Sequence, residues 1–94
     1  MTHPYHPPVK RSVEIAGHKT SISLEPLFWD ALRAAAAEQG VPLNALVAQI
    51  DVERIAADAP PGLATAVRLW LAARAFAAAG GQPAAESGEN GAKA

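Results

Sequence analysis

The sequence predicts a mainly α-helical domain opened by a short extended segment. Three observations predict it. Lys19-Thr20-Ser21-Ile22-Ser23-Leu24 alternates, with Lys19, Ser21 and Ser23 on one side and Thr20, Ile22 and Leu24 on the other. That period of two is the mark of a half-buried strand. Apolar residues then recur at helical spacing in three stretches, separated by Gly40-Val41-Pro42 and by Asp58-Ala59-Pro60-Pro61-Gly62. Finally, 50% of the 94 residues are apolar and much of that share is Ala, which favours helix while keeping the buried area per residue low.

The extended segment sets the first demand. A strand cannot leave its backbone N–H and C=O groups unpaired on a buried side. In so short a chain the cheapest partner strand is a second copy of the protein. Arg11 to Ile15 alternates as well, with Val13 and Ile15 opposed to Glu14, and Ala16-Gly17-His18 can turn, so a strand of the same chain is the other source. Residues 1–10, with Pro4, Pro7 and Pro8, read as a flexible arm, because proline forbids helix and lacks a donor.

The first helix is expected from Pro26, a residue suited to the first helical position, to Gln39. Phe28, Trp29, Leu32, Ala35 and Ala36 form its apolar stripe, and Gly40 ends it as a C′ residue does. The second helix is expected from near Pro42 to about Arg54, with Leu43, Leu46, Val47 and Ile50 inward. The third runs from about Leu63 to Ala79. Leu63, Val67, Trp70 and Leu71 share one face of it, while Leu69 and Phe76 lie nearly opposite. A surface helix with one buried face does not show this pattern, so helix three is expected to meet its own core and something else. Residues 80–94 have the composition of a disordered tail.

Composition narrows the function classes. The chain has no Cys, hence no disulfide and no thiolate chemistry. His3 and His6 lie on the Pro-rich arm without Cys or acid support and make no metal-ligand set. No Gly-rich phosphate loop or nucleophile–base pair occurs, so neither an enzyme nor a cofactor is expected. The N-terminus lacks the apolar core of a signal peptide, and Arg68 and Arg74 interrupt the longest apolar run. The expected setting is cytoplasmic, away from membranes.

Net charge is −1, but it is unevenly spread. Residues 1–24 hold Lys10, Arg11 and Lys19 against Glu14, which makes +2 at the end that carries the strand. A basic end suits a polyanionic partner.

One strand followed by two helices joined through Gly40-Val41 resembles the ribbon-helix-helix superfamily of DNA-binding proteins. The resemblance rests on Lys19-Thr-Ser-Ile-Ser-Leu24, on the stripe Phe28/Trp29/Leu32/Ala36, and on Gly40-Val-Pro-Leu-Asn-Ala-Leu-Val47. The longer run Gly17 to Leu32, with Leu43 to Asp51 and a third helix, looks like a subgroup of short bacterial members, over roughly residues 11–76. It implies an intertwined homodimer whose strands pair into an antiparallel β-ribbon, with the extra C-terminal helix added, acting as a small transcriptional regulator on double-stranded DNA. By position, Lys19, Ser21 and Ser23 face the bases. Leu43 and Asn44, at the second helix start, hold a phosphate. Ile22, Leu24, Phe28, Trp29, Leu32, Val47 and Ile50 form the dimer core.

Two positions depart from the family pattern. Pro42 stands where Ser or Thr is usual, which removes a capping oxygen, and the ribbon lacks Arg. The geometry carries a further condition. Were Arg11–Ile15 to lie beside Lys19–Leu24, the dimer sheet would have four strands, about 14 Å between outer axes. That is too wide for an undistorted major groove about 12 Å across. The alternative is therefore a ribbon-helix-helix fold turned to protein interaction, with Leu69, Trp70 and Phe76 as a higher-order interface.

Overall fold

The computed structural model describes residues 4–80. Its elements in chain order are β1 (Val9–Ile15), β2 (His18–Leu24), α1 (Pro26–Gln39), α2 (Leu43–Ile55) and α3 (Leu63–Ala78). The helices stand within a residue or two of the limits read from the sequence. β1 begins at Val9, inside the stretch read as an arm, and most of the tail expected over 80–94 lies outside the described residues.

Ala16 and Gly17 reverse the chain between the strands. Both have positive φ, 52° and 82°, the combination a two-residue type I′ hairpin turn needs. β2 therefore finds a partner in its own chain: β1 lies antiparallel to it, with Val9 opposite Leu24 and Ile15 opposite His18. The requirement read from the sequence, a paired strand, is met without the second copy that seemed the cheapest source.

Register sorts the side chains. Val9, Arg11, Val13 and Ile15 share a face with His18, Thr20, Ile22 and Leu24. This face lies on the helices, and Val13, Ile22 and Leu24 are buried in it. Trp29 of α1 holds β1 in place. Its ring is 1% exposed, its Nε1–H donates to the Val9 carbonyl at 2.9 Å, and the Arg11 guanidinium stacks over it at 5.7 Å. A buried Trp takes roughly 150–250 Å² out of water, which at about 25 cal/mol per Å² stabilises by ~4–6 kcal/mol.

Gly40 ends α1 in the left-handed region, φ 69°, and Val41 N–H reaches back to the Ala36 carbonyl at 3.0 Å. The tight connection lays α2 on α1. Between α2 and α3, Arg54 closes the turn by pairing with Asp51 at 2.8 Å and donating to the Pro61 carbonyl at 3.1 Å. α3 then packs Val67 and Leu71 into the same core as Leu32, Leu46, Val47 and Ile50. The residues expected at a dimer core, Ile22, Leu24, Trp29, Leu32, Val47 and Ile50, are thus buried within one chain, and Phe28 is half-buried at its margin.

The hairpin turn makes a stability prediction. Ala16 holds a conformation that costs an L-residue with a Cβ about 1 kcal/mol, whereas Asn tolerates it. Ala16→Asn is expected to raise unfolding free energy by up to about 1 kcal/mol, and Gly17→Ala to lower it by a similar amount. Urea denaturation of both variants measures this.

Candidate nucleic-acid interface

The other face of the hairpin carries only polar side chains. Lys10 is opposite Ser23, Ser12 opposite Ser21, and Glu14 opposite Lys19. All are exposed except Ser23, which is half-buried. Lys19, Ser21 and Ser23, expected from the sequence to point outward, do so together. Lys10, Ser12 and Glu14 double the surface and were not singled out from the sequence. The alternation of Arg11–Ile15 hinted at them, but only the register places them across from β2.

The same alternation directs the backbone. In an antiparallel pair closed by a two-residue turn, the N–H and C=O groups of these six outward residues point away from the hairpin. Two contacts agree. Glu14 N–H donates to Asn44 Oδ1 at 3.1 Å, and the Ser23 carbonyl accepts from Arg68 Nη2 at 3.2 Å. The β1 edge is therefore braced by the start of α2, and one end of the β2 edge is capped by α3. Lys19 and Ser21 keep an open edge among the described residues.

Asn44 was expected to contact phosphate. Its side-chain oxygen is instead committed to β1, which leaves the amide NH₂ as the group able to donate outward. Pro42 stands at the N-cap position and supplies no side-chain cap, and among the described residues no side chain is hydrogen-bonded to the N–H groups of Leu43 and Asn44. A shallow hollow between Asn44, Ala45 and Ala48 and the turn at Ala16 and Gly17 also takes in Glu14. The carboxylate works against an anion there, so the positive charge of the face is concentrated at Lys10 and Lys19. Those two residues sit at opposite ends and on opposite strands.

Arg68 links this surface to the helices. Besides the Ser23 carbonyl, it pairs with Glu25 at 2.9 Å and stacks over Phe28 at 5.8 Å. A hydrogen bond from its own backbone and then the Arg68 guanidinium hold the Glu25 carboxyl below its usual value, against the opposing pull of burial. Among the described residues there is no group of three or more His, Cys, Asp or Glu side chains able to hold a metal ion.

A family model for a ribbon-helix-helix domain matches residues 8–75. The chain belongs to that family. Ribbon-helix-helix domains are typically DNA-binding regulators rather than enzymes. No match was found among curated proteins or among solved structures. Within the described residues, no helix of this ribbon-helix-helix domain is long and apolar enough to cross a membrane.

Two predictions follow from these contacts. Removing the Asn44 oxygen frees the Glu14 amide, so Asn44→Ala is expected to speed hydrogen exchange at that amide. The variant should lose no more than about 1 kcal/mol of stability, since the bond is exposed. Glu25 titrates below its unfolded value, so its stabilising effect is full above the normal carboxylate range. It fades as pH falls through the lowered folded value. Melting temperature measured between about pH 6 and pH 3 should drop less steeply for Glu25→Gln than for wild type. The variant should also melt lower at neutral pH.

Proposed function

We propose that this domain is a small DNA-binding regulator that works as a homodimer and reads double-stranded DNA with the outward face of the β-ribbon. One observation carries the reading: the register gathers Lys10, Ser12, Glu14, Lys19, Ser21 and Ser23 on one side of a two-stranded ribbon whose other side buries Val13, Ile22 and Leu24 against the helices. Two strands about 4.8 Å apart fit a major groove about 12 Å wide.

The chemistry suits partial sequence readout. A Lys ammonium donates to guanine O6 and N7, a carboxylate accepts from cytosine N4, and Ser hydroxyls do either. The N–H groups of Leu43 and Asn44, uncapped among the described residues, are the donors offered to a phosphate, against the repulsion of the nearby Glu14 carboxylate. The intrachain hairpin also constrains how copies combine. Two hairpins joined along the open β2 edge would present four strands, about 14 Å across, and that sheet does not enter an undistorted groove. In this reading each copy brings its own complete ribbon to its own half-site, and the copies meet elsewhere.

Selection from a randomised duplex pool, followed by binding titrations at two salt concentrations, tests the proposal. An enriched motif whose affinity falls steeply between about 50 and 200 mM salt is expected. Lys19→Ala should weaken the selected site by roughly ten- to a hundredfold, with a much smaller effect on random duplex. Absence of any salt-sensitive binding at micromolar protein would overturn the reading.

A further inference from the structure

Among the described residues, three side-chain hydrogen bonds tie the hairpin to the helices. One is the bond from Trp29 to the Val9 carbonyl, made by a ring buried under β1. The other two are Glu14 N–H to Asn44 Oδ1 at 3.1 Å and Arg68 Nη2 to the Ser23 carbonyl at 3.2 Å. Their placement is diagonal. Asn44 holds β1 beside the turn, on the outer edge of that strand, whereas Arg68 holds β2 at the end away from the turn, on the opposite edge. The two supports come from different helices, since α2 packs on β1 and α3 on β2.

Both supports are stiff. Asn44 is short and rides on the start of α2. Arg68 is held by Glu25 at 2.9 Å and by the Phe28 ring at 5.8 Å as well as by the Ser23 carbonyl. Its side chain and that of Glu25 are only 30% and 28% exposed, so water screens the pair incompletely. The Glu25 carbonyl accepts from the Phe28 and Trp29 N–H groups that open α1, so Arg68 grips the joint where β2 passes into that helix.

The buried underside, Val13, Ile22 and Leu24, keeps the hairpin from lifting. Apolar contact is non-directional and resists rocking poorly. Hydrogen bonds are directional, and a pair at opposite corners resists rocking well. Base reading tolerates little of it, because a recognition side chain has to be held within about 0.5 Å and 10–20°. The outward side chains fall into two ends, Glu14 with Lys19 near Asn44, and Lys10 with Ser23 near Arg68. The ends are about 14 Å apart at ~3.4 Å per residue, or roughly three to four base-pair steps along a duplex.

We propose that Asn44 and Arg68 are positioning residues for base reading: they brace opposite corners of the ribbon, and each governs the base pairs read at its own end. This role rests on the DNA-binding function proposed above, and neither side chain touches DNA in performing it. It gives α3 a part in recognition without contact.

Selection from a randomised duplex pool with wild type and each variant tests it, with circular dichroism as the check on folding. Asn44→Ala keeps the backbone N–H groups of α2. It should cut base preference roughly five- to tenfold at the Lys19 end of the motif and change it by less than about twofold at the Lys10 end. Arg68→Met keeps an apolar stem on Phe28 and should do the reverse. Asn44→Asp retains the acceptor for Glu14 N–H and should keep the preference at the Lys19 end, although its charge lowers affinity overall. Arg68→Lys keeps a cation beside Glu25 but lacks the fork that also reaches Ser23. It should blur the Lys10 end too, which keeps the test decisive should Arg68→Met fail to fold. Affinity for random duplex and its salt slope should stay at wild-type values in Asn44→Ala and Arg68→Met, because neither side chain neutralises a phosphate. A loss spread evenly over all sequences would make the residue a backbone contact and overturn its role. A motif left sharp, or blurred equally at both ends by one variant, would overturn the braces alone. A wild type that selects no motif would overturn the DNA-reading function and this role with it.

Discussion

The contact on which the rest of this structure depends is the grip of Trp29 on β1. A strand running out of a Pro-rich segment has no hold on the domain through its sequence neighbours. Trp29 supplies one from α1, with its ring under Arg11 and its Nε1–H on the Val9 carbonyl. Once β1 is fixed, the hairpin register follows from the turn at Ala16 and Gly17. The register then decides which side chains are outward, which backbone groups point to the edges, and which edge stays open.

The third helix completes what the hairpin begins. A strand and two helices leave the inner side of Leu46, Val47 and Ile50 to be covered by something, and α3 covers it with Val67 and Leu71. It also sends Arg68 across to the Ser23 carbonyl and Glu25, where one guanidinium satisfies a strand edge, neutralises a carboxylate and lies on Phe28. The chain is therefore closed both by apolar burial and by a cation that bridges sheet and helix. Arg74 and Glu38 add a second cross-link between α3 and α1.

Much of this was legible in the sequence. Pro26, Gly40 and the Pro60-Pro61-Gly62 break fix where helices begin and end through local sterics, so their limits could be read residue by residue. The outward set Lys19, Ser21 and Ser23 followed from simple alternation. What could not be read was long-range. Val9 and Lys10 follow Pro7 and Pro8 and carry no strand signal of their own; their pairing with Leu24 and Ser23, and the bond from Trp29 twenty residues away, show that β1 starts there. Lys10, Ser12 and Glu14 became part of the surface through a pairing register, which no local pattern encodes. The contact of Asn44 with Glu14 N–H was likewise out of reach, because it depends on where the first strand comes to rest.

A core closed within one chain bears on how stability depends on association. Where partners share strands and cores, dissociation means unfolding, and association is tied to stability. Here Leu24, Trp29, Leu32 and Val47 are already shielded from water in a single chain. Leu69 and Phe76 of α3 stay outside that core and are exposed. The hairpin that this core supports is two strands wide, about 4.8 Å between axes, which is narrow against a major groove about 12 Å across.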